Sequence, residues 1–231
     1  MEYLFDMHIH TKEVSTCAKA FAEDLINSYK DSEYNGFVLT NHMNPDTFTV
    51  VGLGDVSWDE KIDHFMNGFD AVNKAAGDRF VVLLGMEIRF YNTPNNDYLV
   101  YGVTEDFLRS NGDLMAMTPK QFSNLCKENG ILFLQAHPFR RGMRVTDWNI
   151  LDGYEIFNGN PRHESNNDIA EIWAKKHKKT VVVSGSDFHE IGDACAGGIY
   201  FKNRINNNDD LIRELKSGNY RIKRTDLGES K

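Results

Sequence analysis

Seven side chains with lone pairs suited to a divalent metal recur at one kind of place in this sequence. His8 and His10 stand two residues apart just beyond the apolar run Tyr3–Met7, His42 follows Gly36–Thr40, and Glu87 follows Phe80–Leu84. His137 follows Ile131–Leu134, and Asp187 with His189 follows Val181–Ser184. Residues at i and i+2 of an extended segment face the same way, so the imidazoles of His8 and His10 can reach one ion. Imidazole nitrogen mixed with carboxylate oxygen suits Zn²⁺, Mn²⁺ or Fe²⁺ better than Ca²⁺ or Mg²⁺. Seven donors are too many for one tetrahedral ion, and a carboxylate such as Glu87 or Asp187 can bridge. The count calls for two divalent ions or three.

Donors this far apart in sequence share an ion only if the elements that carry them bring them together. The apolar runs above, with Tyr98–Tyr101, Gly153–Phe157 and Gly198–Phe201, have the length and character of buried parallel strands. Helical patterns lie between many of them. Phe21, Leu25 and Tyr29 recur every fourth residue, with Ala22 and Ile26 widening the stripe. Thr118 reads as an N-cap ahead of Pro119, with Phe122, Leu125 and Cys126 as the apolar face and Gly130 as the stop. Ile169, Ile172 and Trp173 define another helix, and Leu211, Ile212 and Leu215 a last one ending near Gly218. The stretch Asn44–Glu60 has weak periodicity and reads as a long loop.

Strand then helix, repeated with short connections, predicts an α/β fold with a parallel sheet, open or closed into a barrel. The carboxyl ends of parallel strands open onto one face, where catalytic groups collect, and all seven donors fall at such ends. No internal repeat or linker interrupts the chain, so residues 1–231 read as one domain.

Composition narrows the function classes. Hydrophobic residues make up 41% of the chain and aromatics 12%, enough for a sizeable core and too many for a disordered chain. No apolar run approaches the ~20 residues that span a bilayer, and the start MEYLFDMHIHT lacks the features of a signal peptide. The three cysteines, Cys17, Cys126 and Cys195, are scattered, without a CxxC pair. Both features lead us to expect a cytosolic protein with no disulfide framework and no membrane partner. A net charge of −8 disfavours a general nucleic-acid binder but leaves room for a local basic pocket.

The ordered elements HIHT, TNH, GMEIRF, AHPFR and SGSDFH resemble the metal-binding motifs of the polymerase and histidinol phosphatase (PHP) family, in order from residue 8 to residue 189. That resemblance implies a distorted, TIM-like (β/α)7 barrel with two or three metals at the C-terminal ends of its strands, and phosphoesterase chemistry. It also implies that His8, His10, Glu87 and Asp187 share one ion while His42 and His189 hold a neighbour. The chain departs from the pattern in three places. Ser15, Thr16 and Cys17 stand where family members often carry a further His or Asp, and Cys17 is a candidate thiolate ligand. Asn41 replaces the usual Asp before His42, and Gly102–Thr104 offers no histidine, so a third site would rest on Glu87 and His137.

Arg140 is the leading candidate to grip a substrate phosphate, with Arg141, Arg89 and Lys12 behind it. Asp6 either orients a histidine or faces solvent, and Asn158 ends a strand where it could touch a ligand; His64 and His177 read as surface residues, and His163, in the loop NGNPRHES, is within reach of the site but reads as lying outside it. The expected activity is hydrolysis of a small phosphomonoester by a water that the ions acidify to hydroxide at neutral pH. A phosphodiesterase or nuclease is the alternative, disfavoured by the acidic balance. Two further readings are a C–N bond hydrolase and a metal-binding scaffold without catalysis.

Overall fold

Runs of apolar and β-branched residues bounded by polar turns extend into strands, and the amphipathic stretches between them coil. The structure is a computed structural model and describes residues 2–177 and 181–225. In chain order the elements are β1 (Tyr3–Ile9), α1 (Ala22–Tyr29), β2 (Tyr34–Leu39), β3 (His42–Met43), α2 (Pro45–Val50) and α3 (Trp58–Ala76). Then come β4 (Val81–Ile88), β5 (Tyr98–Tyr101), α4 (Glu105–Ser110), α5 (Pro119–Glu128), β6 (Leu132–Gln135) and β7 (Gly153–Asn158). The chain continues through α6 (Asn167–Lys176), β8 (Val181–Gly185), β9 (Gly197–Phe201), α7 (Asn208–Ser217) and β10 (Tyr220–Arg224).

The strands β1, β2, β4, β5, β6, β7 and β8 lie edge to edge in that order. The ring closes where the residues after β8 meet β1. Phe188 bridges Ile9 in parallel, the His10 amide donates to the Phe188 carbonyl at 2.9 Å, and the Phe188 amide donates to the His8 carbonyl at 3.2 Å. The first half of β1 pairs instead with β9, which β10 covers in turn. Ser184 of β8 holds that strand pair against the seam, donating to the Lys223 carbonyl and accepting the Gly198 amide. The result is a distorted barrel of seven strands, as the α/β pattern and the family resemblance led us to expect, with an antiparallel strand pair added at its seam. Phe5, Met7, Val38, Leu83, Leu99, Leu134 and Val183, from six of the barrel strands, form one continuous buried cluster joined by Leu211 and Leu215 of α7.

Not every strand runs parallel. β5 is antiparallel to both β4 and β6, and β9 is antiparallel to β1. No helix crosses between β4 and β5, only the loop 89–97, and a chain that returns without a crossover helix lies antiparallel. The stretch Asn44–Glu60 also differs from the loop expected there. Asn44 accepts the Thr47 amide at 2.7 Å and caps α2 ahead of Pro45, and Ser57 with Glu60 forms the capping box that starts α3. Those start signals outweigh the weak periodicity. On α6 only part of the apolar stripe packs: Trp173 lies half-buried against the core, Ile169 and Ile172 are exposed, and Ala170 and Ala174 complete the packed face. Phe21 precedes α1 as its cap residue and is exposed, while Leu25, Ile26 and Tyr29 are buried. Around α5 and α7 the expected caps stand, with Thr118 and Pro119 opening the first and Gly218, in the left-handed region, closing the second.

The seam tolerates no side chain at Gly185. A Cβ there would lie 2.3 Å from the Cβ of His8, against the backbone of β1. Gly185→Ala should therefore force β1 and β8 apart, at a cost of about 1–3 kcal/mol. Thermal unfolding checks this; a melting temperature equal to the wild type would show that the seam has slack.

Candidate metal centre

Each of the seven donors foreseen from the sequence reaches one pocket at the barrel mouth. β1 delivers His8 and His10, whose rings lie 5.0 Å apart. β3 extends the sheet so that His42 pairs directly with Glu87 of β4. His137 follows β6, and Asp187 and His189 follow β8 across the seam. Glu87 stands in the middle. Its Oε1 is 3.5 Å from Nε2 of His8 and 3.1 Å from Nε2 of His137. Its Oε2 is 3.3 Å from Nε2 of His10 and 2.9 Å from Nδ1 of His42. Asp187 Oδ1 lies 3.3 Å from Nε2 of His8 and 3.4 Å from Nε2 of His10.

These atoms are turned inward by partners on their far sides. His8 Nδ1 donates to Glu155 Oε1 at 2.8 Å, His10 Nδ1 to Ser15 Oγ at 3.3 Å, and His189 Nδ1 to the Asp187 carbonyl at 2.8 Å. With the proton placed on Nδ1, each ring offers the Nε2 lone pair to the pocket. Nε2 of His8 and of His10 and Nδ1 of His42 are buried without a hydrogen-bond partner. A buried polar atom left unpaired costs about 1–3 kcal/mol, so several converging on one space call for something to fill it. Donor atoms form three overlapping sets, each within 4.8 Å: His8 with His10 and Asp187, His8 with Glu87 and His137, and His10 with His42 and His189. Imidazoles held by outer carboxylates and hydroxyls, around carboxylates with both oxygens facing rings, fit divalent metal ions.

Electrostatics points the same way. Burial opposes ionisation of Glu87 and Asp187, but His8 and His42 around the first, and His8 and Arg140 around the second, hold both well below the usual carboxylate range. Burial, with His42 and His189 nearby, keeps His10 well below the ordinary histidine value. His8 goes the other way: burial disfavours its charge, yet Glu155, Asp187 and Glu87 raise it well above that value. The pocket is thus a tightly matched set of anions and imidazoles, and a cation can replace the proton on His8.

Several residues that the sequence left ambiguous are now placed. Asp6 faces no solvent: its Oδ1 accepts the amides of His8 and Ser186 at 3.2 and 3.0 Å, and its Oδ2 accepts the Tyr29 hydroxyl at 2.7 Å. It ties the backbone of HIHT to that of SGSDFH, and burial pushes its carboxyl up to about 6. Asn41 accepts the Thr11 amide at 2.7 Å and the Ser15 hydroxyl at 3.0 Å, so it braces the turn after His10. Arg140 lies at the site, donating from Nη2 to Asp187 Oδ2 at 2.7 Å and Asn158 Oδ1 at 3.0 Å. Arg89 is occupied by a two-pronged pair with Asp97, and Lys12 by the Thr16 carbonyl. Cys17 is exposed, and although burial raises its thiol the His189 and His42 side chains bring it down to about 6.

Glu155 was missed by the sequence reading. It is buried, orients His8 through Oε1, and accepts the His137 amide through Oε2 at 2.8 Å. The available signal was an acid embedded in the apolar strand GYEIFN, where only a partnered carboxylate can sit. Backbone strain marks the same place, because His137 and Asp187 take positive φ of 26° and 52°. Such conformations cost roughly 1–3 kcal/mol each for residues other than glycine and gather at functional sites.

Glu155→Gln keeps the shape but removes the anion that fixes the His8 tautomer. Metal affinity should fall by about 10–100-fold with the fold intact. Metal titration followed by calorimetry measures this, and an unchanged affinity would remove Glu155 from the centre.

No protein-family model matches the sequence, and no curated protein matches it. Solved structures do. A two-domain protein of Bacteroides vulgatus, containing a predicted PHP-like metal-dependent phosphoesterase, aligns over 97% of this chain with a TM-score of 0.67 and 12% identity. This chain spans only 65% of that protein's length. PsfC of Pseudomonas syringae aligns over 97% of this chain and 92% of its own, with a TM-score of 0.70 and 15% identity. The lesion-specific endonuclease Q of Pyrococcus furiosus gives a TM-score of 0.62 and 14% identity over 96% of this chain, which covers 58% of the endonuclease. At these identities the likeness is one of architecture: the chain has the fold of the PHP-like metal-dependent phosphoesterases.

Proposed function

We propose that this chain is a metal-dependent phosphoesterase, one domain over residues 1–231, that hydrolyses a small phosphomonoester. The observation that carries the proposal is the position of Glu87. Its two oxygens each face two imidazoles, and three buried ring nitrogens around it lack any partner. His8, His10, Glu87 and Asp187 would hold one ion, His42 and His189 a second, and His137 with Glu87 a third where it is filled. Zn²⁺, Mn²⁺ and Fe²⁺ all suit such donors. When bound, such ions supply Lewis acidity, lowering the pKa of a water and drawing charge from phosphate oxygens.

The rest of the work falls to the protein. His8, His10, Glu87 and Asp187 are all buried, and a pocket from which water is largely excluded strengthens each charge–charge interaction within it. Arg140 brings a guanidinium whose Nη2 is spent on Asp187 and Asn158. Its buried Nε has no partner, so it is free to donate to a phosphoryl oxygen. Asn158 holds both Arg140 and Asp187, donating to Asp187 Oδ2 at 3.1 Å, and so fixes the cation relative to the carboxylate.

A diester or nucleic-acid substrate is the second reading, favoured by the fold shared with a DNA lesion endonuclease. The net charge of −8 argues against it, since tracking a polyanion needs a basic surface. Turnover of an aryl phosphomonoester against its diester, with Mn²⁺, Fe²⁺ or Zn²⁺ added, separates the two. We expect the monoester to be the better substrate, and Asp187→Ala to lower bound metal and to reduce turnover by more than about 100-fold. Full activity with unchanged metal content in that variant would end the proposal. A faster diester would transfer it to the second reading.

A further inference from the structure

We infer that Arg162 is a positioning residue for the donor His189, acting through the buried carboxylate of Asp193. The inference rests on reading the histidine cluster as a metal centre. It goes beyond that reading by naming what aims a donor that no strand carries.

His189 lies beyond the end of β8 and past the single bridge at Phe188, so no sheet pairing sets the direction of its ring. Its backbone is pinned instead. The carbonyl accepts the amides of Lys19 and Ala20 at 2.8 and 3.1 Å. The amide donates to Asp193 Oδ2 at 2.9 Å, and the same oxygen accepts the Glu190 amide at 3.0 Å. Asp193 ends the short helical turn Ile191–Asp193, and the bond from Glu190 is an ordinary cap of that turn. The bond from His189 lies outside the cap and ties the turn to a metal donor.

Asp193 is 1% exposed, so its charge must be met from within the protein. Arg162 meets it with a two-pronged pair, Nη1 to Oδ1 and Nη2 to Oδ2, the second at 2.8 Å. Nη1 also donates to Glu190 Oε1 at 2.9 Å. The loop between β7 and α6, which carries Arg162, is itself fixed to the centre. The Arg162 amide donates to Asn160 Oδ1 at 3.0 Å, and Asn160 Nδ2 donates to the Asp187 carbonyl at 3.0 Å. At the far end of the loop Asn166 Nδ2 donates to the carbonyl of Phe139, next to Arg140.

An exposed arginine paired with a surface acid contributes little to stability. Arg162 is exposed, but its partner is buried, and the other bonds that partner accepts come from the amides of His189 and Glu190. Asp193 belongs to none of the donor sets, so the pair aims a ligand without supplying one. The set of His8, Glu87 and His137 contains no residue from beyond β8. Loss of Arg162 therefore falls on the ion at His42 and His189 and spares that set.

Stepwise Zn²⁺ titration of the metal-free protein, followed by calorimetry, tests this without a substrate. His189→Ala identifies the binding step that uses that ring. Arg162→Gln should weaken the same step by about tenfold or more and leave the other binding within about threefold of the wild type. Adding Asp193→Asn to Arg162→Gln should recover most of the loss, because the amide oxygen still accepts the His189 amide and no unpaired charge stays buried. Should Arg162→Gln fail to fold, Arg162→Lys keeps a cation on Asp193 and should weaken the His189 step by a smaller amount. An unchanged His189 step in the variant used, equal weakening of every step, or a double variant no better than Arg162→Gln would overturn the role of Arg162 and leave the metal centre standing. Absence of Zn²⁺ binding by the wild type would overturn the metal centre and this inference with it.

Discussion

Glu87 and Asp187 set the terms for everything around them. An ionised carboxylate removed from water costs several kcal/mol unless it is paired and hydrogen-bonded, and here two lie in one pocket. Among the described residues no lysine pairs with either carboxylate, and the arginine beside them, Arg140, pairs only with Asp187. The remaining compensation comes from imidazoles, which carry a balancing charge only when protonated. A protonated ring cannot donate its lone pair. The pocket can therefore satisfy its carboxylates with protons on the histidines or with metal ions, and the second choice also pairs the orphaned ring nitrogens.

Holding that set of groups together accounts for features that make little sense as packing. Asp6, Glu155 and Asn41 are buried polar side chains whose hydrogen bonds run to backbone amides and ring nitrogens of the motif segments. His137 and Asp187 accept left-handed backbone, a conformation that the surrounding strands over-determine rather than relieve. Each costs something locally. Together they hold donor atoms from five separated segments in overlapping sets, each within 4.8 Å.

Much of this was legible in the sequence, and the reasons are physical. Donors at the ends of apolar runs are visible because a parallel strand leaves its carboxyl end at a common mouth, so His8, His42, Glu87 and His189 could be placed together from position alone. The antiparallel β5 was invisible because a buried strand reads the same in either direction. The helix opening at Ser57 was missed because its capping signal, Ser-x-x-Glu, sits where the apolar period is weak. Glu155 escaped notice for a subtler reason. It contributes no metal-facing atom but supports a residue 147 positions away, and such support is a property of the fold, not of any local spacing. Ile169 and Ile172 misled because a helix can turn alanines inward when β7 lies close against it.

The barrel seam is where architecture and chemistry become the same contacts. β1 and β8 meet through Phe188 and Gly185, and the residues flanking those contacts are His8, His10, Asp187 and His189. Closing the ring is therefore also what assembles four of the seven donors. An ion that drew these side chains together would pull on the shortest pairing in the ring, a single bridge between Ile9 of β1 and Phe188 just after β8, beside β9. Ions that bind only the closed barrel stabilise it by mass action, in proportion to the logarithm of their concentration over their dissociation constant. Unmatched charges in the anionic pocket would loosen the seam and bound cations would tighten it, so the carboxylates that fit divalent ions also tie closure of the fold to the charge balance of the pocket.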